Sequence, residues 1–480
     1  MVIPVGGIAM TKRVHVESAP GLLEDYAAHF DDLLSKRAQR EGFRRYLEGL
    51  LLDEERNKTL TALANTEPMV GAQHKEAQSL QWFLTESSWD PEQINRRRVE
   101  LVLEDSQTAP QKGGALVIDE TGDRKDGKAT AHVGKQYLGG IGKVDNGVVS
   151  VSSLYADERL YYPLAVEPYT PEDHFQGGKK DPEFRTKPQI AWELVEGALE
   201  MELPFRAVVA DSLYGENIDF CETLLQENVP FVMALGPSHA WWAPPERVGN
   251  VWEAAAFSTV SSWGGPQEPG DWVRLERSFR DGRVEQWWAL EAQGGPYGPE
   301  SSERLVIITT DPATLPDRST SYLVSNLPAP DSEQARRTQH SVADLAEVAR
   351  LYALRGWIEQ SYKQVKNSLG WAHYQVRKDI SIRRHWQLVC CAFSFCWWAC
   401  TECEDFGSPP VVVFKDAKHS STAADEADGG KKEGQDGAAS VVATGAAEDP
   451  LVVAAVRNAP AILAGVYRSA PARRTQGAAQ

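Results

Sequence analysis

Between residues 21 and 105 the apolar positions recur at helical spacing. FRRYLEGLL and QSLQWFLTESSWDPEQINRRRVELVLED each place Leu, Ile, Val or Trp on one side, and TEP and SSWDPE supply turn and cap signals. After PQKGG the period changes from helical to alternating. ALVIDET, KQYLGGIGKVDNGVVSVSSLYA and ERLYYPLAVEPY are rich in Val, Ile and Tyr and broken by Gly and Asp-Asn-Gly, which predicts a meander of at least three strands. A helix at KPQIAWELVEGALEME, a strand at FRAVVADSLYG, a helix at NIDFCETLLQEN and a strand at PFVMALG follow. Meander strands followed by alternating helix and strand predict an α/β fold: a mixed sheet with helices on its faces.

From Pro237 to about Ser325 the chain turns β-rich, with a hairpin predicted in WVRLERSFRDGRVEQWWALEA at Asp281-Gly282, then LVIITT and SYLVSNLP. Helical spacing returns near Ser341 and continues through VCCAFSFCWWACTEC. Beyond Glu404 the composition drifts to Ala, Gly, Ser, Asp and Lys, which buries too little apolar surface to order itself. Six segments result: a disordered leader over 1–20, an N-terminal helical domain over 21–110, and a mixed-sheet α/β domain in two parts, 111–236 and 326–403. A β-rich insertion over 237–325 divides those parts, and a largely disordered tail occupies 404–480.

Composition narrows the class. With 480 residues, 42% of them apolar, and 15 Trp, the chain can build a large core and more than one domain. No long uncharged apolar run and no basic-then-apolar leader is present, so neither a membrane span nor a secretory signal is expected and the location expected is cytoplasmic. The cysteines, Cys221 and the cluster from Cys390 to Cys403, lie in apolar surroundings and read as packed thiols. The net charge of −18 argues against a protein that simply coats nucleic acid. Charge is uneven, however, because residues 345–386 carry eight Lys or Arg against three Asp or Glu, so a DNA path would be local. Arg96-Arg97-Arg98 and Lys36, Arg37, Arg40, Arg44 and Arg45 could grip phosphates, though a solvated helix face is the plainer reading.

Three acidic residues carry the candidate chemistry. Asp119 follows the apolar run ALVI and Asp211 follows AVVA, so both leave strands where mixed sheets place their sites, although either alone reads as well as a turn former or cap. The third lies in LYALRGWIEQSYKQVKNSLG, where Tyr352, Arg355, Glu359 and Lys366 share one narrow face of a helix at about 100° per residue. Glu120, Asp123 and Asp126 read as a polar turn, His132, His174 and His239 as ordinary loop or core residues, and Trp287 and Trp288 as strand aromatics. GGIGKV has the lysine of a phosphate-binding loop without its spacing, so ATP dependence is not indicated.

The Tyr-x2-Arg-x3-Glu-x6-Lys pattern, with one Asp in ALVIDETG and another in VVADSLYG, resembles the DDE-type insertion-sequence transposases, which share this signature and order of parts over about residues 21–403. The spacings, 92 residues from Asp119 to Asp211 and 148 to Glu359, leave room for the insertion. The resemblance implies a ribonuclease-H-like catalytic domain in which Asp119, Asp211 and Glu359 bind two divalent ions, Mg2+ or Mn2+. It implies that Tyr352, Arg355 and Lys366 contact transposon-end DNA. The partners implied are double-stranded DNA, both ends and target, with no membrane, and a homodimer in the DNA complex. Hard cations suit hard carboxylate oxygens, and two of them can stabilise charge on the attacking and leaving oxygens of a phosphodiester. The expected activity is cleavage at the element's ends and joining of the freed 3′-hydroxyl to target DNA. The alternatives are a ribonuclease-H-like nuclease that cuts without joining, and a decayed or domesticated protein that binds ends without catalysis.

Overall fold

The computed structural model describes residues 21–52, 56–243, 247–278, 283–295, 301–401 and 413–416. The leader expected over 1–20, the Asp281-Gly282 turn and, apart from 413–416, the tail expected over 404–480 lie outside the described residues. The first helices are α1 (Leu22–Ala28), α2 (Arg37–Leu51), α3 (Leu60–Leu63), α4 (Lys75–Thr85) and α5 (Pro91–Glu104). Asp90 starts the last of them by accepting the Glu92 amide at 2.9 Å, with Pro91 in the first turn where its missing N–H costs nothing.

The strands β1 (Ala115–Arg124), β2 (Gly134–Leu138), β3 (Lys143–Ala156) and β4 (Tyr161–Tyr169) form the meander. Then come α6 (Lys187–Glu200), β5 (Ala207–Ala210), α7 (Ser212–Gly215), α8 (Ile218–Gln226) and β6 (Phe231–Leu235). Strands β3 and β4 pair antiparallel, as do β1 and β3, whereas β1, β5 and β6 run parallel. The chain order β4-β3-β1-β5-β6 across these five strands is that of a ribonuclease-H-like sheet. Ala115 to Ile118 and Ala207 to Ala210 are fully buried, as expected of central strands covered on both faces.

The β-rich segment holds a small pair, β7 (Ala240–Ala243) and β8 (Arg247–Asn250), helix α9 (Val251–Ser262), and strands β9 (Val273–Ser278), β10 (Val284–Ala292), β11 (Arg304–Thr309) and β12 (Thr320–Ser325). The last four do not form a sheet of their own. β12 pairs with β6, and β11, β10 and β9 follow in turn, so these four strands lengthen the central sheet from six strands to ten among the described residues. Helices α10 (Leu345–Ala353), α11 (Gly356–Asn367) and α12 (Asp379–Thr401) come next, and strand β13 (Val413–Asp416) pairs with β9 at the sheet edge. This strand falls inside the segment whose bulk composition predicts disorder, because the short run VVVFKD is β-branched and aromatic where its surroundings are not.

Helix α12 ties the helical region to the sheet. It packs against α1, α2, α4 and α5 on one side and β4 on the other, with its buried Cys390, Cys391 and Cys396 reduced in a common core. Two buried polar groups lock this junction. Arg98, fully buried, donates to the Pro163 and Leu164 carbonyls at 2.6 and 2.7 Å, to Ser394 at 3.0 Å and to Asn95. The Arg96-Arg97-Arg98 run is therefore not one phosphate grip, since Arg98 is inside and Arg97 pairs with Asp32 at 2.9 Å. His385, also fully buried, sits 2.8 Å by Nδ1 from the Tyr46 hydroxyl, while Nε2 donates to the carbonyls of Gly370 and Trp371.

Burial pushes the His385 pKa down from 6.5 to about 3. Between those values the unfolded chain takes up a proton that the fold refuses, so stability falls as pH falls, by at most about 1.4 kcal/mol per unit. His385→Asn is expected to flatten the acid side of the thermal-unfolding profile between about pH 6.5 and 4 while lowering the midpoint at neutral pH. An unchanged acid slope, read by circular dichroism against pH, would show that His385 does not set it.

Candidate active site

The pairing of β1 with β5 sets the first two acids side by side. Val117 lies opposite Val209, so two residues further on Asp119, still within β1, and Asp211, just past the end of β5, come out at the same end of adjacent parallel strands. Asp211 then caps α7 by accepting the Leu213 amide at 3.0 Å. Asp119, read from sequence as a strand end, is instead within β1, which continues to Arg124 because β3 is long enough to pair with it throughout. Glu120 and Asp123 accordingly belong to a strand, not to a polar turn.

The third acid arrives from the other side of the sheet's covering. The face expected of a single helix is split: Tyr352 ends α10, Glu359 and Lys366 lie on α11, and Leu354 and Arg355 form a tight turn between them, with Arg355 N donating to Tyr352 O at 3.0 Å and Ile358 N to Arg355 O at 3.1 Å. Gly356, a poor helix former, stands at the break. The turn aims Arg355 at all three acids. Its guanidinium lies 2.9 Å from Glu359, 3.3 Å from Asp119 and 3.7 Å from Asp211. The structure thus brings together Asp119, Asp211, Glu359 and Arg355, which are separated by up to 240 residues.

Two tyrosines missed from the sequence pin this arrangement. Each lies three residues beyond an acid, one helical turn away, and each reaches the Asp119-Glu120 pair. The Tyr214 hydroxyl donates to Glu120 Oε2 at 2.9 Å, and Lys187 from α6 neutralises the same carboxylate at 2.9 Å. The Tyr362 hydroxyl donates to the Asp119 carbonyl at 3.0 Å and lies 2.6 Å from Ser152. Burial holds both phenols well above their ordinary pKa, so they remain neutral donors. The sequence signal was present as Asp-x2-Tyr and Glu-x2-Tyr, but its meaning depends on where β1 lies. Lys366 pairs with Asp123 at 2.7 Å and donates to the Gly122 carbonyl at 3.1 Å, fastening α11 to the far end of β1.

Electrostatics follow burial. Asp119 is only 7% exposed, and burial pushes its carboxyl up to about 7, with Arg355 pulling it down and Asp211 and Glu120 adding to the rise. Burial opposes the charge on Arg355, yet Asp119, Tyr352, Glu359 and Asp211 together hold its pKa above the ordinary arginine value. Glu359, with its side chain 52% exposed, leaves one side of the site open to solvent. Beside Arg355, a cavity of about 160 Å³ is bounded by Tyr352, Arg277, Trp287 and Ser321, so the insertion strands form a wall of the site. His132 is spent elsewhere, 2.7 Å from both Thr170 and Asp379.

As a donor set, three carboxylates around one positive group suit a hard divalent cation. Among the described residues no three His, Cys, Asp or Glu side chains already stand close enough to hold an ion, and Arg355 lies against all three acids.

Comparison with known proteins gives the family. Residues 29–255 match the family model described as a DDE superfamily endonuclease, and residues 185–395 match the one described as a transposase DDE domain. A protein of Microchaete diplosiphon described as a probable transposase for the insertion sequence element IS701 is 32% identical over 357 residues, covering 74% of this chain and 81% of that one. The sheet order, the placement of the two aspartates and these similarities lead to one conclusion: the chain belongs to the DDE transposases of insertion sequences.

Proposed function

We propose that this transposase cuts DNA at the ends of its element and joins the freed 3′-hydroxyl to target DNA, with Asp119, Asp211 and Glu359 as the residues that hold two divalent ions, Mg2+ or Mn2+. The observation that carries the reading is the convergence of these three acids on the single guanidinium of Arg355. Ions bound there would supply positive charge against the phosphate oxygens and ease deprotonation of the attacking water or hydroxyl. Asp119 and Asp211, at the same end of β1 and β5, form the fixed side of the site, while Glu359 on the exposed edge of α11 closes it. Tyr214, Lys187 and Tyr362 keep the fixed side in place.

Arg355, Tyr352 and Lys366 are proposed to meet the transposon-end DNA. The Nε of Arg355 is buried without an acceptor, which fits a side chain that finds its full set of acceptors only when the carboxylates are taken by cations and a phosphate is present. The two ends of an element must be held together, so two copies of the chain act in the DNA complex, at the nucleoid of a bacterial cytoplasm.

Asp119→Asn, Asp211→Asn and Glu359→Gln are each expected to lower Mg2+-dependent cutting of end DNA at least about 10³-fold while leaving end binding within a few-fold of the parent. Cutting at the parental rate in a gel assay with any of these variants would remove that residue from the reaction. A second expectation concerns Arg355, which competes with cations for the acids. In chelator, Arg355→Gln is expected to melt several degrees lower, because like charges are left uncompensated, and to bind Mn2+ about tenfold more tightly by spin-resonance titration. Weaker Mn2+ binding in Arg355→Gln would show that the guanidinium is not a stand-in for the ions.

A further inference from the structure

Strands β2 and β3 close a hairpin over residues 134–147 that the catalytic reading leaves unused. Its tip is the glycine-rich GGIGK that fails as a phosphate loop. Tyr137 pairs directly opposite Val144, so the two side chains share one face with Lys135. Tyr137, Val144 and, at the tip, Ile141 are 59%, 63% and 47% exposed. The opposite face is anchored. Leu138, buried, rests on Gly122 and Gly147, where an added Cβ would lie only 2.6 and 2.8 Å from its methyl groups, so no larger residue fits at either position without displacing it. Gln136 adds a hydrogen bond to the Gly147 carbonyl at 3.1 Å and Asn146 one to the Gly127 carbonyl at 3.0 Å. Gly122 is three residues beyond Asp119 on the same strand, so the hairpin is clamped roughly 10 Å along β1 from the acids.

Its charge differs from that of the chain. From Arg124 to Gly147 there are five Lys or Arg against two Asp, in a protein of net charge −18. Lys125 is turned inward to the Ala372 carbonyl and the Tyr374 ring, but Lys128, Lys135 and Lys143 are exposed. Exposed apolar side chains on a rigid, cation-rimmed finger beside a phosphodiester-cutting site have the chemistry of a minor-groove wedge: apolar groups between base steps, lysines on the flanking phosphates. Gly139, Gly140 and Gly142, the last at φ +65°, remove side chains where the backbone must approach the groove.

We propose that the β2–β3 hairpin inserts Tyr137, Ile141 and Val144 into the minor groove of the duplex flanking the cut phosphate, unstacking a base step roughly three to six base pairs away. This rests on the reading of Asp119, Asp211 and Glu359 as the cutting site. The wedge sets the path and bend of the DNA and takes no part in the reaction.

The test uses the full chain with end-flank duplexes carrying 2-aminopurine at successive steps, in Ca2+ so that binding is read without cutting. The parent is expected to raise fluorescence at one step within that window. Tyr137→Thr/Ile141→Ser/Val144→Thr, which keeps β-formers in the strands, is expected to abolish that rise and weaken binding about tenfold. Lys135→Gln/Lys143→Gln, which leaves the packing intact, is expected to reduce the salt slope of log Kd by about two. Should the triple variant misfold, the lysine pair decides alone, and an unchanged slope overturns the proposal. A parent-like fluorescence step and affinity in the folded triple variant overturns it too. So does a triple variant whose only defect is a lower mass in sedimentation, since the finger would then be meeting a second copy. A parent that neither binds nor cuts duplex would sink the cutting-site reading itself, whereas a parent that cuts with no hairpin effect sinks only the wedge.

Discussion

Carboxylates placed together repel one another and resist burial, and the whole site is organised around making that tolerable. Arg355 is the group that does so. It reaches the acids from a turn between two helices, where a residue on a straight helix would keep its direction along the helix surface. One guanidinium against three acids does not fully compensate them: burial still pushes the Asp119 carboxyl up to about 7 despite the pull of Arg355.

Around this centre the fold invests in rigidity. Parallel pairing of β1 with β5 brings two acids out at the same end of the strands, the Tyr214 and Tyr362 hydroxyls hold α7 and α11 to the dipeptide Asp119-Glu120, and Lys366 holds the far end of α11 to Asp123. Preorganisation of this kind matters because a reacting phosphate tolerates little misplacement of the groups that surround it. The outer supports are equally specific. Arg98 and His385 satisfy carbonyls between the N-terminal helices, β4 and the turn that follows α11, so the helical region and the catalytic sheet share a core rather than touching as separate bodies. Strands β9 to β12 likewise extend the same sheet, and so bring Trp287 and Arg277 to the wall beside Arg355.

Much of the site was legible before any coordinates because its chemistry is local in sequence. ALVI before Asp119 and AVVA before Asp211 announce buried strands, and the spacing of Tyr352, Arg355, Glu359 and Lys366 announces a helix face. What could not be read was every relation across the chain. Nothing around Glu120 states that Lys187 and Tyr214 will meet it, and the glycine at position 356 does not by itself announce that the signature helix breaks there. The strand at Val413–Asp416 was hidden by the composition of its neighbours, since a four-residue strand needs an edge to pair with and the edge is β9, more than 130 residues earlier.

By itself, then, the sequence determined most of the elements and the order of the candidate acids, because helical and strand periods are properties of short stretches of chain. Only the tertiary structure decided which groups face each other: the emergence of Asp119 and Asp211 at the same end of β1 and β5, the capture of the acids by Arg355, the two tyrosine pins and the anchoring of the β2–β3 hairpin on Gly122. The physical reason is that these relations depend on strand register and helix docking. Burial of the shared core sets both, and no local pattern encodes them.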